Sequence, residues 1–322
     1  MTPLVTLCAA GAAVLYAIGS LDIKKALGSG TDRRAAIAWT NIAMAIWSLP
    51  LFFLSRETFT LYGFLLALGA GLALFFGRIF VVKALDVGAL SIVGPLLGLK
   101  TLFVAISAVL LGQVALSAGV WIAVVLACIG MALVQRGPQS KSKHYHRAVL
   151  YALIASLLFA ATDILVVEAR CALSVGWLMP TLFLTVGLLV PLLGSIPKPP
   201  AEGKTNLQRG AVTMGFQTSL VVFIICLTGQ AVLVNIIYAS RGLWSVIVDR
   251  FMNRTGTIHK YFVQRTAGAA LLVASVGIVI LTIHAPLAEN EPINTIGITD
   301  PKDVLDESAY EDIPGVIWID GY

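Results

Sequence analysis

VGALSIVGPLLGLKTLFVAISAVLL, residues 87–111, and AVLVNIIYASRGLWSVIVD, residues 231–249, decide how this chain is read. Each approaches the ~20 mostly apolar residues that cross ~30 Å of hydrocarbon. Each also carries one strong base near its middle, Lys100 in the first and Arg241 in the second. A base at mid-membrane costs ~2.5–3.5 kcal/mol on insertion scales. Neither lies close enough to a segment end to reach the interface by snorkelling. Both must therefore face protein or a wet cavity.

Slid against itself, the sequence brings the two bases together at one ungapped offset of 141 residues. Under that offset Asp22 meets Asp163, Pro50 meets Pro191, Gly69-Ala70 meets Gly210-Ala211, and Gly88 meets Gly229. Apolar coincidences are common in a chain this hydrophobic. Matches of Asp, Pro and Lys/Arg are not, because those types are scarce inside membrane segments. Beyond the fourth segment of each half the register slips by six, so that Gly130 meets Gly277.

The composition agrees with a membrane reading. Of 322 residues 58% are hydrophobic and 12% charged, with a mean hydropathy of +0.90, whereas soluble domains carry about 25% charged residues. This excludes a soluble enzyme, a disordered chain and a disulfide scaffold, the more so because Cys8, Cys128, Cys171 and Cys226 all lie in apolar runs. Ten segments approach membrane-spanning length: 3–22, 35–54, 60–82, 87–111, 117–135, 148–169, 174–195, 210–229, 231–249 and 266–283. The first lacks the basic start of a secretory signal, since no Lys or Arg precedes Lys24. The expected fold is an all-α integral membrane protein of ten transmembrane helices. They form two five-helix repeats, 1–135 and 148–284, around a polar linker, 136–147. An odd number of helices per half makes the repeats inverted.

Loop charges follow the same pattern. Bases crowd the loops after segments one, five, seven and nine, with Lys24, Arg34, Lys141, Lys204 and Arg254 among them. The alternate loops carry only Arg56 and Arg170. By the positive-inside rule the rich loops are cytoplasmic, which puts both termini outside, across an expected plasma (inner) membrane. Residues 285–322 hold Lys302 alone against nine acidic residues. With four prolines among them they are expected to form a flexible, solvated acidic tail, 285–322.

This layout resembles the drug/metabolite transporter superfamily, specifically its EamA-like ten-helix members. The stretch Ala84–Gly130, with Gly94-Pro95 opening the fourth segment and Gly112 closing it, is similar to the family's most recognisable part. Residues 234–250, VNIIYASRGLWSVIVDR, are similar to the same part in the second half. The resemblance covers about 1–284 and implies a secondary transporter with the ten-helix inverted-repeat fold. The chain departs from the family at Gln113, where members commonly carry Glu, and in its termini, which characterised relatives tend to keep cytoplasmic. Bases in the fourth and ninth helices are similar to those that the distantly related plastid sugar-phosphate translocators use for phosphate.

The candidate substrate-binding residues are Lys100, Arg241, Tyr238, Trp244, Asn235 and Arg78. Arg241 can grip a carboxylate or phosphate bidentately, and Lys100 acts as a point charge. Tyr238 and Trp244 flank Arg241 at i−3 and i+3 and can stack on it or on a substrate. Asn235, Gln217 and Ser219 are candidate polar wall. Asp163 and Asp22 are the candidate proton-coupling carboxylates, since substrate and proton can compete for one acid. A packing-only reading stands beside each of these. Lys100 and Arg241 could pair with Asp22, Asp163 or Glu168 merely to fix the helices, Asp22 could be interfacial, and snorkelling explains Lys83.

The expected function is secondary transport of a small polar anion by alternating access, through exchange or proton coupling. Two readings compete with it: efflux of amino acids or amphipathic drugs, and a non-transporting membrane scaffold acting through its acidic tail. No enzymatic, nucleotide-binding or metal motif is present, and His144, His146, His259 and His284 form no ligand set. The sequence therefore predicts no cofactor and no metal. The expected partners are the lipid bilayer, a small-molecule substrate and protons, not nucleic acid, with the chain a monomer or homodimer.

Overall fold

The computed structural model describes residues 3–55, 59–87, 93, 96–134, 145–244, 247 and 262–284. Every regular element among them is helical. The α-helices are α1 (Pro3–Gly28), α2 (Arg33–Ser48), α3 (Leu61–Val87), α4 (Lys100–Leu110), α5 (Ala118–Val134), α6 (Tyr145–Ala169), α7 (Val175–Leu188), α8 (Ala201–Thr228), α9 (Ala231–Ala239) and α10 (Phe262–His284). Two 3-10 turns, Leu49–Leu54 and Val190–Leu193, follow α2 and α7. Seven of the described helical stretches are long and apolar enough to cross a bilayer, as in a multi-pass membrane protein; α4, α5 and α9 are shorter apolar helices.

Local chemistry sets several of the boundaries. Asp32 caps α2, its Oδ1 accepting the Arg34 backbone N–H at 2.7 Å. The matched Pro50 and Pro191 each stand at the start of a 3-10 turn, where the missing N–H breaks no helical bond. Gly229 ends α8 with φ +69°, a left-handed cap that side-chain-bearing residues rarely adopt. There the Arg170 guanidinium closes the helix end, its Nε donating to the Cys226 carbonyl at 2.7 Å and its second nitrogen to that of Leu227 at 3.2 Å.

The boundaries differ from expectation where apolarity and helicity part. α8 starts at Ala201, nine residues before the apolar segment, because AEGKTNLQR forms polar helix in continuity with it. α1 likewise runs on to Gly28. In the fourth segment the described helix is Lys100–Leu110, preceded by helical residues 96–98; Gly94-Pro95 lie outside the described residues.

The most extensive helix contacts run across the expected halves, not within them. α3 lies along α6 and α1 along α8, while α2 packs on α7 and α8 and α3 also meets α7. Small residues permit the approach: a Cβ on Gly71 of α3 would stand 2.6 Å from the Leu182 carbonyl oxygen of α7. One apolar cluster runs through the interior, from Ala9 and Ala13 to Phe75, Phe183 and Ile236. Within the bundle, Asn41 of α2 is fully buried, and among the described residues neither its amide nitrogen nor its oxygen has a hydrogen-bond partner. Met1–Ile283 form one compact unit. The acidic tail and most of the linker lie outside the described residues.

Candidate functional site

Asp163, in the C-terminal part of α6, is 2% exposed and anchors a polar cluster in the apolar interior. Its Oδ2 lies 2.8 Å from Lys100 Nζ of α4 and accepts a hydrogen bond from Asn235 Nδ2 of α9 at 2.6 Å. Asn235 Nδ2 also donates to the Ala231 carbonyl at 2.8 Å. A buried carboxylate is tolerable only when paired and hydrogen-bonded, and α4 and α9 meet that need from two directions.

Arg241 stands beside this pair, bracketed by aromatic rings. Its guanidinium carbon is 4.5 Å from the Tyr238 ring centroid and 5.1 Å from that of Tyr16 on α1. The two rings meet edge to face at 6.1 Å. Their negative faces attract the cation, an attraction worth ~2 kcal/mol or more where water is excluded. The Tyr238 hydroxyl donates to Gln217 Oε1 of α8 at 2.8 Å. Gln217 Nε2 in turn donates to Thr218 Oγ1 at 2.7 Å. A guanidinium nitrogen of Arg78 on α3 reaches the same Oγ1 at 3.4 Å and Met44 Sδ of α2 at 3.4 Å. A continuous polar line thus joins Arg78 through Thr218, Gln217 and Tyr238 to Arg241.

The structure brings together Lys100, Arg241, Tyr238, Asn235, Arg78 and Asp163, with side chains from α1, α3, α4, α6, α8 and α9. It does not bring in Asp22 or Trp244. Asp22 is partly exposed on α1 and takes part in no ion pair among the described residues. Trp244 is partly buried against the apolar core. Ser219 is buried, and its hydroxyl has no partner among the described residues. Tyr16 and Thr218 belong to the site and carry no sequence signal, since a Tyr or Thr in an apolar helix is ordinarily packing.

Between Lys100, Asn235, Tyr238, Arg241 and Met131 lies a cavity of about 10 Å³, room for about one water molecule. An open, wet chamber with an unpaired Lys100 is therefore not what this conformation holds. Three bases and one carboxylate nonetheless share the interior of the bundle among the described residues.

Gln113, the position at which the chain departs from the family it resembles, approaches Glu168 of α6, its Nε2 at 3.4 Å from Oε2. The carboxylate at this corner thus comes from another helix.

No family model matches the chain, and no curated protein matches it. A solved crystal structure, described only as that of a protein, has the same fold: TM-score 0.68 at 14% identity, over 88% of this chain and 98% of that one. At that identity the likeness concerns fold alone.

Proposed function

We propose that this chain is an anion transporter of the drug/metabolite transporter type, built from two inverted five-helix halves and seen here closed. The observation that carries the reading is the convergence of Lys100, Arg241 and Arg78 on one interior cluster with, among the described residues, one carboxylate, Asp163. In this conformation Asp163 occupies Lys100. A substrate carboxylate or phosphate would take its place on the ammonium, while the guanidinium of Arg241 binds a second oxygen. Asp163, released from Lys100 when the substrate takes its place, is then the carboxylate for which substrate and proton would compete.

Packing supports the two-half architecture. Exchanging helices 1 with 6 and 3 with 8, as the 141-residue offset does, turns the α3–α6 contact into the α1–α8 contact. Counting the shorter α4, α5 and α9 as spans gives ten, with cytoplasmic basic loops and both termini outside.

A scaffold role is favoured by two other observations, the Lys100–Asp163 pair and the cavity of about 10 Å³. Counterflow in liposomes separates the two. Vesicles loaded with inorganic phosphate or a dicarboxylate should accumulate labelled anion, with Arg241→Ala and Lys100→Ala inactive and Lys100→Arg retaining part of the flux. Exchange only of cations or amphipaths would move the reading to efflux. No exchange of any solute by folded protein would leave the scaffold.

A further inference from the structure

A second cavity, far larger than the first, opens between the N-terminal end of α2 and the C-terminal end of α3. It has a volume of about 890 Å³. Its walls are apolar, with Phe76 and Phe80 of α3, Ile37 of α2 and Leu192 of the turn after α7. Phe76 is 42% exposed and Leu192 64% exposed. Its mouth is charged: Arg33, Arg34 and Lys83 stand there with Asp32 and Asp86.

The two carboxylates are already engaged. Asp86 pairs with Arg33, and Asp32 accepts from the Arg34 backbone N–H and faces its guanidinium at 3.4 Å. Lys83 is in no ion pair among the described residues, and its ammonium is held at the mouth 5.3 Å over the Phe80 ring. A soluble anion would satisfy Lys83 but leave the apolar walls wet. An acyl chain would cover the walls but ignore the lysine. A molecule carrying both fits the whole crevice.

We propose that this crevice binds an anionic phospholipid, with its phosphate among Lys83, Arg34 and Arg33 and the upper part of one acyl chain along Phe76, Phe80 and Leu192. Clustered bases at the mouth of a crevice between membrane helices bind anionic headgroups. The basic loops put this end of the bundle at the leaflet where such lipids face the cytoplasm. A zwitterionic headgroup gains less, because the mouth carries three bases against two carboxylates and so favours a headgroup with net negative charge. The site is separate from the interior cluster, so it stands whether or not the chain transports anions.

Native mass spectrometry of the full-length protein in detergent tests this, with phosphatidylglycerol and phosphatidylcholine of identical chains at equal concentration. Preferential retention of phosphatidylglycerol is expected. Lys83→Gln, an exposed position, should cut that preference about five-fold, the weight of one base near an anionic headgroup. Arg34→Gln/Lys83→Gln, which keeps the Arg33–Asp86 pair, should bring the two lipids near parity. Equal retention by the native protein, or an undiminished preference in the double variant, overturns the proposal. So does stabilisation by glycerol phosphate equal to that by phosphatidylglycerol, which would make the ligand a soluble anion.

Discussion

Lys100 Nζ lies 2.8 Å from Asp163 Oδ2, but the residues matched to them at 141 positions' distance, Arg241 and Asp22, do not form the corresponding pair. Arg241 turns to Tyr16 and Tyr238 instead. Two halves that alternate their exposure would exchange such arrangements, Arg241 meeting Asp22 as Lys100 releases Asp163. Asp22→Asn should therefore leave stability within about 0.5 kcal/mol, as at surface positions generally, yet slow anion exchange. Equal exchange rates for variant and parent in liposomes would remove Asp22 from the cycle.

Removing one member of the Lys100–Asp163 pair strands the other in the interior. Lys100→Met alone should cost ~3–5 kcal/mol, whereas Lys100→Met/Asp163→Leu should be near neutral. Thermal denaturation of both variants in one detergent reads the difference. A double variant as unstable as the single would show that the pair is not the coupling unit.

Tyr16→Leu keeps an apolar side chain of similar reach but takes away one ring face from Arg241. The expected loss is ~0.5–2 kcal/mol of stability, and binding of anions should weaken with it. Isothermal titration with phosphate checks the second part, and unchanged affinity would confine Tyr16 to packing.

In a fully buried position on α2, both polar atoms of the Asn41 amide lack partners among the described residues. Asn41→Leu should stabilise the protein by about 1–3 kcal/mol, the cost of an unsatisfied buried polar group. A lower melting temperature for this variant would mean that the amide does find partners in the membrane.

Asp32 offers a pH signature outside the bilayer. The Arg34 backbone N–H, and less strongly its side chain, hold the Asp32 carboxyl below the usual carboxylate range, although burial opposes them. Its folded pKa is depressed, so the stabilisation is present above the unfolded value, ~4, and is lost as pH falls through the folded one. Asp32→Ala should cost ~1 kcal/mol at neutral pH. The difference from the parent should vanish in acid; a gap that persists there would assign the effect to something other than the cap.

What the sequence made legible was what is scarce in membrane segments. Lys100, Asp163, Arg78 and Arg241 announced themselves because charge in hydrocarbon demands a partner, and the structure collects all four in one cluster. Tyr16 and Thr218 were invisible because their types are ordinary in apolar helices. The partner Lys100 takes was also beyond reading: whether it meets water or Asp163 depends on helix spacing, which periodicity does not encode. Helix ends slipped for a related reason. The bilayer sets where apolarity stops, but AEGKTNLQR keeps its backbone hydrogen bonds and continues as helix past that limit.

The packing of α3 along α6 and of α1 along α8 bears on how the protein is made. Helices emerge from the ribosome in order, so α1 waits through the synthesis of seven others before its face is covered. Until then its glycine- and alanine-rich side must be shielded by lipid or by the insertion machinery. A chain cut in the 136–147 linker should consequently give two fragments that are degraded when made singly and persist when made together.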